Sequence, residues 1–284
     1  MTLDEQIAKD LTELYEGREI SSAKQLAPLI GLSCRGLPQH FVGDRDAKTV
    51  LVMLNPGSDA KGAEQELAKR RESYDSTSAQ AFTESYVREL RDFGKIHRID
   101  NPRDPFDVKQ AAFLKPWKDS GITLPGAFPQ DDKTFADAKE SVLTQKLQLE
   151  LLPYSSQKFE VNTKNIDRFV PFVEILLGEI FRRERTAVIF CGRVFDKAFK
   201  AYNKAQGSTV IDLGATEVRL NPIAPGKQLS GGCRPVTLRW KGRTQKALIA
   251  YTFASQALSK AYAIMQNYGT FCYEQFAAYK AADR

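Results

Sequence analysis

Four short runs rich in valine, leucine and isoleucine recur along the chain: Thr49–Leu54, Leu147–Leu152, Thr186–Cys191 and Ala247–Phe253. Each has the length of a strand rather than a membrane span. Three of them run into turn residues, at Asn55-Pro56-Gly57, Pro153 and Gly192. Between the runs the apolar positions fall at helical spacing. Leu3, Ile7, Leu11, Leu14 and Tyr15 predict a helix over 2–17, and Ser21–Ile30 reads as a second short one. Residues 63–94 and 134–146 are polar and helical in pattern. A helix over 163–184 carries Ile166, Phe169, Val173, Leu176, Leu177 and Ile180, another follows Gly192, and a last one starts near Ser255. Residues 209–220 predict one or two further strands, and Leu238 to Phe253 reads as a hairpin turning at Lys241-Gly242. Residues 31–46 and 221–234 read as loops rich in glycine or proline.

Apolar strands alternating with helices predict an α/β fold. The expected form is a doubly wound, mostly parallel central sheet of about four strands, flanked by helices and preceded by an N-terminal helical cap. One stretch, 99–130, breaks the pattern with Pro102, Pro105, Pro116, Pro125 and Pro129 among Phe106, Phe113, Trp117 and Phe128. It cannot be one long helix. It reads either as the wall of a pocket offering a stacking ring or as a packed surface loop. No repeat or linker divides the chain, so 1–284 is expected to be one domain, with the cap at 1–40 and the insert at 99–130.

Composition changes this picture in three places. The chain has 284 residues, 42% of them hydrophobic, enough to bury a sizeable core. Its start, Met-Thr-Leu-Asp-Glu-Gln, is unlike a signal peptide, so a cytoplasmic, nucleoid-associated protein is expected. Cys34, Cys191, Cys233 and Cys272 lie far apart, with no metal-binding spacing, and the two histidines, His40 and His97, are too few for a metal or relay mechanism. His40, beside Phe41 in a loop, reads as a packing residue. No cofactor and no metal are expected. The formal charge is +6, and it is uneven: Phe181–Lys204 holds seven Lys/Arg against two acids, and Gly226–Lys246 holds six and no acid. A basic C-terminal band suggests a polyanion, most simply nucleic acid, although a solvated basic surface has the same composition.

The chemistry of the first run is set by its end. Ligands of open α/β sheets bind beyond the carboxyl ends of the strands. An asparagine held there by Pro-Gly can turn its amide into the crevice, while the same three residues also serve as a plain turn. Set side by side, the strand ends are Leu54-Asn-Pro-Gly57, Glu150-Leu-Leu-Pro-Tyr154, Phe190-Cys-Gly192 and Thr252-Phe-Ala-Ser255. This constellation resembles the uracil-DNA glycosylase superfamily, and its first motif is similar to that of the mismatch-specific and single-strand-selective branches. The resemblance covers 40–275.

The resemblance implies base excision from DNA by a monofunctional glycosylase, on a nucleotide that is flipped out of the duplex or taken from a single strand. Bond cleavage would pass through an oxocarbenium-like sugar. Asn55 would hold the attacking water through its side-chain carbonyl, and backbone amides near Gly57 and Ser58 would face the base or a phosphate. Glu150 stands where the family has a base-reading Asn, and Ser255 matches the serine of the last motif, with Leu258 as the wedge into the vacated stack. Tyr154, Ser155 and Ser156 are candidates to line the pocket or bond a phosphate, or are a strand-terminating turn. Arg193, Lys227 and Arg234, with Gly231-Gly232, are candidates to grip phosphates.

The last motif here is Thr-Phe-Ala-Ser, without the His or Asn and the Pro that precede its serine in most branches. An ionised Glu150 would only accept hydrogen bonds, which favours a base edge presenting a donor, such as the amine of a modified cytosine, over uracil. The expected partner is DNA, single- or double-stranded, bound by a monomer away from membranes. Two other readings stand beside it: a non-catalytic DNA-binding protein on the same fold, and an N-glycosidase of free nucleosides or nucleotides. Repair and defence against foreign modified DNA are both compatible with the first.

Overall fold

The structure is a computed structural model, and it describes residues 1–57, 60–97, 100, 104–124, 131–156, 165–214, 216–220, 231–253 and 262–282. Among these the chain forms helices α1 (Leu3–Tyr15), α2 (Ser21–Lys24), α3 (Ala27–Ile30), α4 (Ala60–Arg70), α5 (Ala79–Ile96), α6 (Pro105–Leu114), α7 (Asp132–Gln145), α8 (Val170–Ile180), α9 (Val194–Gln206) and α10 (Tyr262–Ala281). The strands are β1 (Phe41–Gly43), β2 (Thr49–Met53), β3 (Lys146–Glu150), β4 (Ala187–Phe190), β5 (Ile211–Asp212), β6 (Val218–Leu220), β7 (Gly231–Trp240) and β8 (Arg243–Ala250).

One mixed sheet runs in the order β1-β3-β2-β4-β8-β7-β5, with β6 also paired to β7. The four runs recognised in the sequence are its parallel centre, β3-β2-β4-β8. The sheet has eight strands rather than about four, because antiparallel strands extend it on both sides. On one side β1 pairs with β3 inside a stretch that reads as loop; three residues are too few to show a period. On the other, β7 starts at Gly231 and pairs with β8 from Cys233 to Trp240, so the hairpin is longer than its apolar pattern indicates and turns at Lys241-Gly242 as expected. Lys241 takes a positive φ of 47° there.

Both faces of the sheet are covered. Val50, Val52, Leu147, Leu149, Val188, Phe190, Ala247 and Ile249 form one core with α1, α5, α8 and α9. Leu51, Met53, Ala187, Ile189, Leu248 and Ala250 form the other with α6, α7 and α10. The N-terminal cap is therefore part of the main core: Leu3, Ile7, Leu11 and Leu14 are all buried in it. Within the second layer α6 lies very close to α10. A Cβ placed on Gly269 would stand 2.2 Å from the Phe113 carbonyl oxygen. The 99–130 insert is split in use: α6 starts with Asp104 as its N-cap and Pro105 in its first turn, while Phe113 and Trp117 are buried in the second core. Phe128 lies outside the described residues. No helix among the described residues is long and apolar enough to cross a membrane.

Candidate functional site

The strand order places a crevice where the sequence reading expects one. From β2 the chain crosses first to β3 on one side and later to β4 on the other, and a ligand site belongs between such strands at their carboxyl ends. A cavity of 630 Å³ opens there. Its wall comes from Met53 to Gly57 after β2, Gln148 and Glu150 on β3, Cys191 after β4, Phe253 after β8, Gln39 before β1, and Asp104, Pro105, Phe106 and Lys109 at the start of α6. Gly192, with φ of 143°, turns the chain sharply after Cys191, and a Cβ there would lie 3.4 Å from Leu54 Cδ1.

Asn55 sits on a backbone clamped by the chain that follows β3. The Leu151, Leu152 and Ser156 amides donate to the Met53, Leu54 and Pro56 carbonyls at 2.9, 2.9 and 3.2 Å, continuing the β2–β3 pairing past the strand ends. The Asn55 side-chain nitrogen donates to Ser156 Oγ at 2.8 Å, to the Pro56 carbonyl at 3.1 Å and to the Tyr154 carbonyl at 3.4 Å. Among the described residues these bonds fix the amide plane and use only its nitrogen, which leaves the carbonyl oxygen as the end that can act on a ligand or water.

Glu150 closes a polar row on the otherwise apolar second face. Along β3, alternate positions carry Lys146, Gln148 and Glu150, all buried. Lys146 Nζ donates to Gln148 Oε1 at 3.0 Å, and Gln148 Nε2 donates to Glu150 Oε1 at 2.7 Å. Gln39 Nε2 donates to the same Oε1 at 3.4 Å. Glu150 Oε2 is buried and makes no hydrogen bond among the described residues. Burial raises the Glu150 carboxyl from its ordinary 4.5 to about 8, against the opposing pull of Gln148 and Lys146. Burial likewise lowers Lys146 and Lys109 from 10.5 to about 8. Glu150 is thus mainly protonated at neutral pH, unlike the ionised acceptor expected from its residue type. With Oε1 already accepting two amides, the proton belongs on Oε2, which then donates. Cys191, 1% exposed, has its thiol pushed up by burial and is a small apolar wall residue rather than a nucleophile.

The remaining candidates separate. Gly57 lines the cavity. Tyr154 is not brought to it: the ring is buried on the opposite face, its hydroxyl donates to Asp10 Oδ2 at 2.9 Å, and Gln6 Nε2 donates to that hydroxyl at 3.3 Å. β3 ends at Glu150 and the chain bends through Leu151–Pro153, so the strand alternation no longer holds and Tyr154 projects towards the cap. His40 belongs to the same buried cluster, with Nε2 3.2 Å from Asp10 and its ring edge-on to Tyr154, in keeping with a packing role. Ser156, 3% exposed, orients Asn55 and is not placed to grip a phosphate.

Arg193 and Arg234 stand at the same sheet edge but are paired. Arg193 holds Glu217 through both terminal nitrogens at 3.1 and 2.9 Å and stacks 4.1 Å from the Tyr251 ring centre. Arg234 Nη1 lies 3.3 Å from Asp196, which also accepts from the Tyr251 hydroxyl. Ser58, Lys227, Ser255 and Leu258 lie outside the described residues. Among the described residues no group of three or more His, Cys, Asp or Glu is gathered to hold a metal, and all four cysteines are free thiols.

Residue-type reasoning missed Lys109, Lys146, Gln148 and Gln39. The period-two alternation of Lys146-Leu-Gln-Leu-Glu150 was the available signal for two of them. Lys109 announced itself only as the single charge between Val108 and Leu114.

No protein-family model, curated protein or solved structure matches the chain.

Proposed function

We propose that the chain is a DNA N-glycosylase that hydrolyses the glycosidic bond of a flipped, modified or non-uracil base. The observation that carries this reading is the pinned Asn55 amide, whose carbonyl oxygen accepts no hydrogen bond among the described residues, on the wall of one cavity with Glu150, whose buried Oε2 has no partner among them. A water held by that carbonyl and a base edge held by that carboxyl are the two things such a reaction requires. Phe106, exposed on the cavity wall, is an apolar face against which a base can stack.

The state of Glu150 defines the base edge. A neutral carboxyl with Oε1 filled offers a single O–H donor, which matches an acceptor such as a cytosine-like ring nitrogen. Uracil places an N–H between two carbonyls, and that N–H would be left without an acceptor beside Oε1, which argues for discrimination against it.

A second reading, an N-glycosidase of free nucleosides or nucleotides, is favoured by the pairing of Arg193 with Glu217 and of Arg234 with Asp196, which reduces the free positive charge offered to a long polyanion. Mass spectrometry of bases released from a panel of modified DNAs, run beside free nucleosides and nucleotides, separates the two. Base release from DNA that disappears in Asn55→Ala while DNA affinity persists supports the glycosylase. Release only from small substrates supports the second reading, and no release from any substrate defeats both.

A further inference from the structure

The cavity wall carries an amine that base excision does not use. Lys109 enters it from α6, on a stretch with no other charge between Val108 and Leu114. Its side chain is held down rather than extended into solvent: the residue is 7% exposed, and Nζ stands 5.2 Å from the centre of the Phe253 ring. Asn55, Glu150 and Lys109 therefore face one volume.

We propose that Lys109 forms an imine with an aldehyde carbon held in this cavity, the aldehyde being the ring-opened deoxyribose of an abasic site in DNA. The choice of aldehyde rests on the base-excision reading, because that sugar is what base release leaves behind. An amine desolvated against an aromatic ring is the form in which lysine attacks carbonyls. Burial holds Lys109 and Glu150 both near 8, so around neutral pH the cavity contains a usable fraction of neutral amine and mostly neutral acid.

The Nζ lone pair forms the bond to C1′, and the carbonyl π pair moves to oxygen, which takes a proton from the nitrogen through water. The carbinolamine hydroxyl then leaves as water with the Glu150 proton. The nitrogen lone pair closes the C=N bond, leaving a positively charged imine opposite the Glu150 carboxylate.

The test uses the full chain with an oligonucleotide carrying a preformed abasic site, in sodium borohydride, which reduces an imine to a stable secondary amine. A covalent protein–DNA adduct is expected, and peptide mapping is expected to place it on Lys109. Lys109→Met and Lys109→Arg should each abolish it. No adduct, or an adduct mapped to the N-terminal amine or another lysine, overturns the proposal, and mapping on the unaltered chain decides this even if a variant fails to fold. Because the abasic site is supplied, an adduct at Lys109 without base release from any modified DNA would defeat only base excision. Base release without an adduct would defeat only the imine.

Discussion

Ser156 accepts a 2.8 Å hydrogen bond from the side-chain nitrogen of Asn55, and the two residues are brought together because β3 runs parallel to β2 and its pairing continues past both strand ends. If Asn55 holds the attacking water, Asn55→Ala should lower base release by on the order of 10²-fold or more, the usual worth of a positioned polar group in the transition state. Ser156→Ala removes one anchor and should cost up to about tenfold, equivalent to about 1.4 kcal/mol. Single-turnover kinetics on each variant, with DNA affinity measured alongside, checks both. Equal rates for wild type and Asn55→Ala would remove Asn55 from the chemistry.

Glu150 should make stability depend on pH with a defined sign. Its carboxyl is raised from 4.5 to about 8 in the folded chain, so between those values the folded state holds a proton that the unfolded state has lost. This contribution is complete below pH 4.5 and should fade by up to about 1.4 kcal/mol per pH unit until about pH 8. Glu150→Gln keeps the acceptor for Gln148 and Gln39 and presents an N–H donor in place of the acid. Its melting temperature should gain on wild type steadily from pH 5 to pH 8 and then level off. The same substitution should retain activity above pH 8, where wild type declines, if the neutral acid is what reads the base. Loss of activity at every pH would show that the carboxylate is the reading form.

Tyr154 is a test of where the site ends. Its hydroxyl serves the buried Asp10, 0% exposed, and not the cavity. Tyr154→Phe leaves that carboxylate one donor short and should destabilise the fold by about 1.5–3 kcal/mol. Substrate KM should not change. Urea unfolding and steady-state kinetics on one preparation separate the two effects, and a raised KM with unchanged stability would return Tyr154 to the site.

Gly269 controls how closely α6 approaches α10. Gly269→Ala would set a methyl group 2.2 Å from the Phe113 carbonyl oxygen, a backbone atom that cannot rotate away. The helices must separate, at a cost of about 1–3 kcal/mol. Because α6 also carries Phe106 and Lys109, the change should weaken borohydride trapping as well as lower the melting temperature. Normal stability in the alanine variant would contradict the close packing.

Much of the architecture was legible because period and composition are local properties. The parallel centre of the sheet, the hairpin at Lys241-Gly242 and the Asn55 turn all follow from residues within ten positions of one another. The edge strands were not legible. β1 has three residues, and Phe41-Val42-Gly43 is a strand only because β3 stands beside it to take its hydrogen bonds.

The candidate site divides along the same line. By itself the sequence placed Asn55 and Glu150 at the ends of buried strands, since apolar runs ending in turns put their last residues at one edge of a parallel sheet; that the two strands are neighbours is a property of the fold. Only the tertiary structure decided which way their neighbours face and what charge they carry. Tyr154, four residues after Glu150, points into the cap, whereas Lys109, forty-one residues before it, shares its cavity. The protonated state of Glu150 is likewise a property of the assembled layers. A carboxyl in water ionises near 4.5, and this one is held near 8 because α6 and the sheet exclude the water that would stabilise its charge.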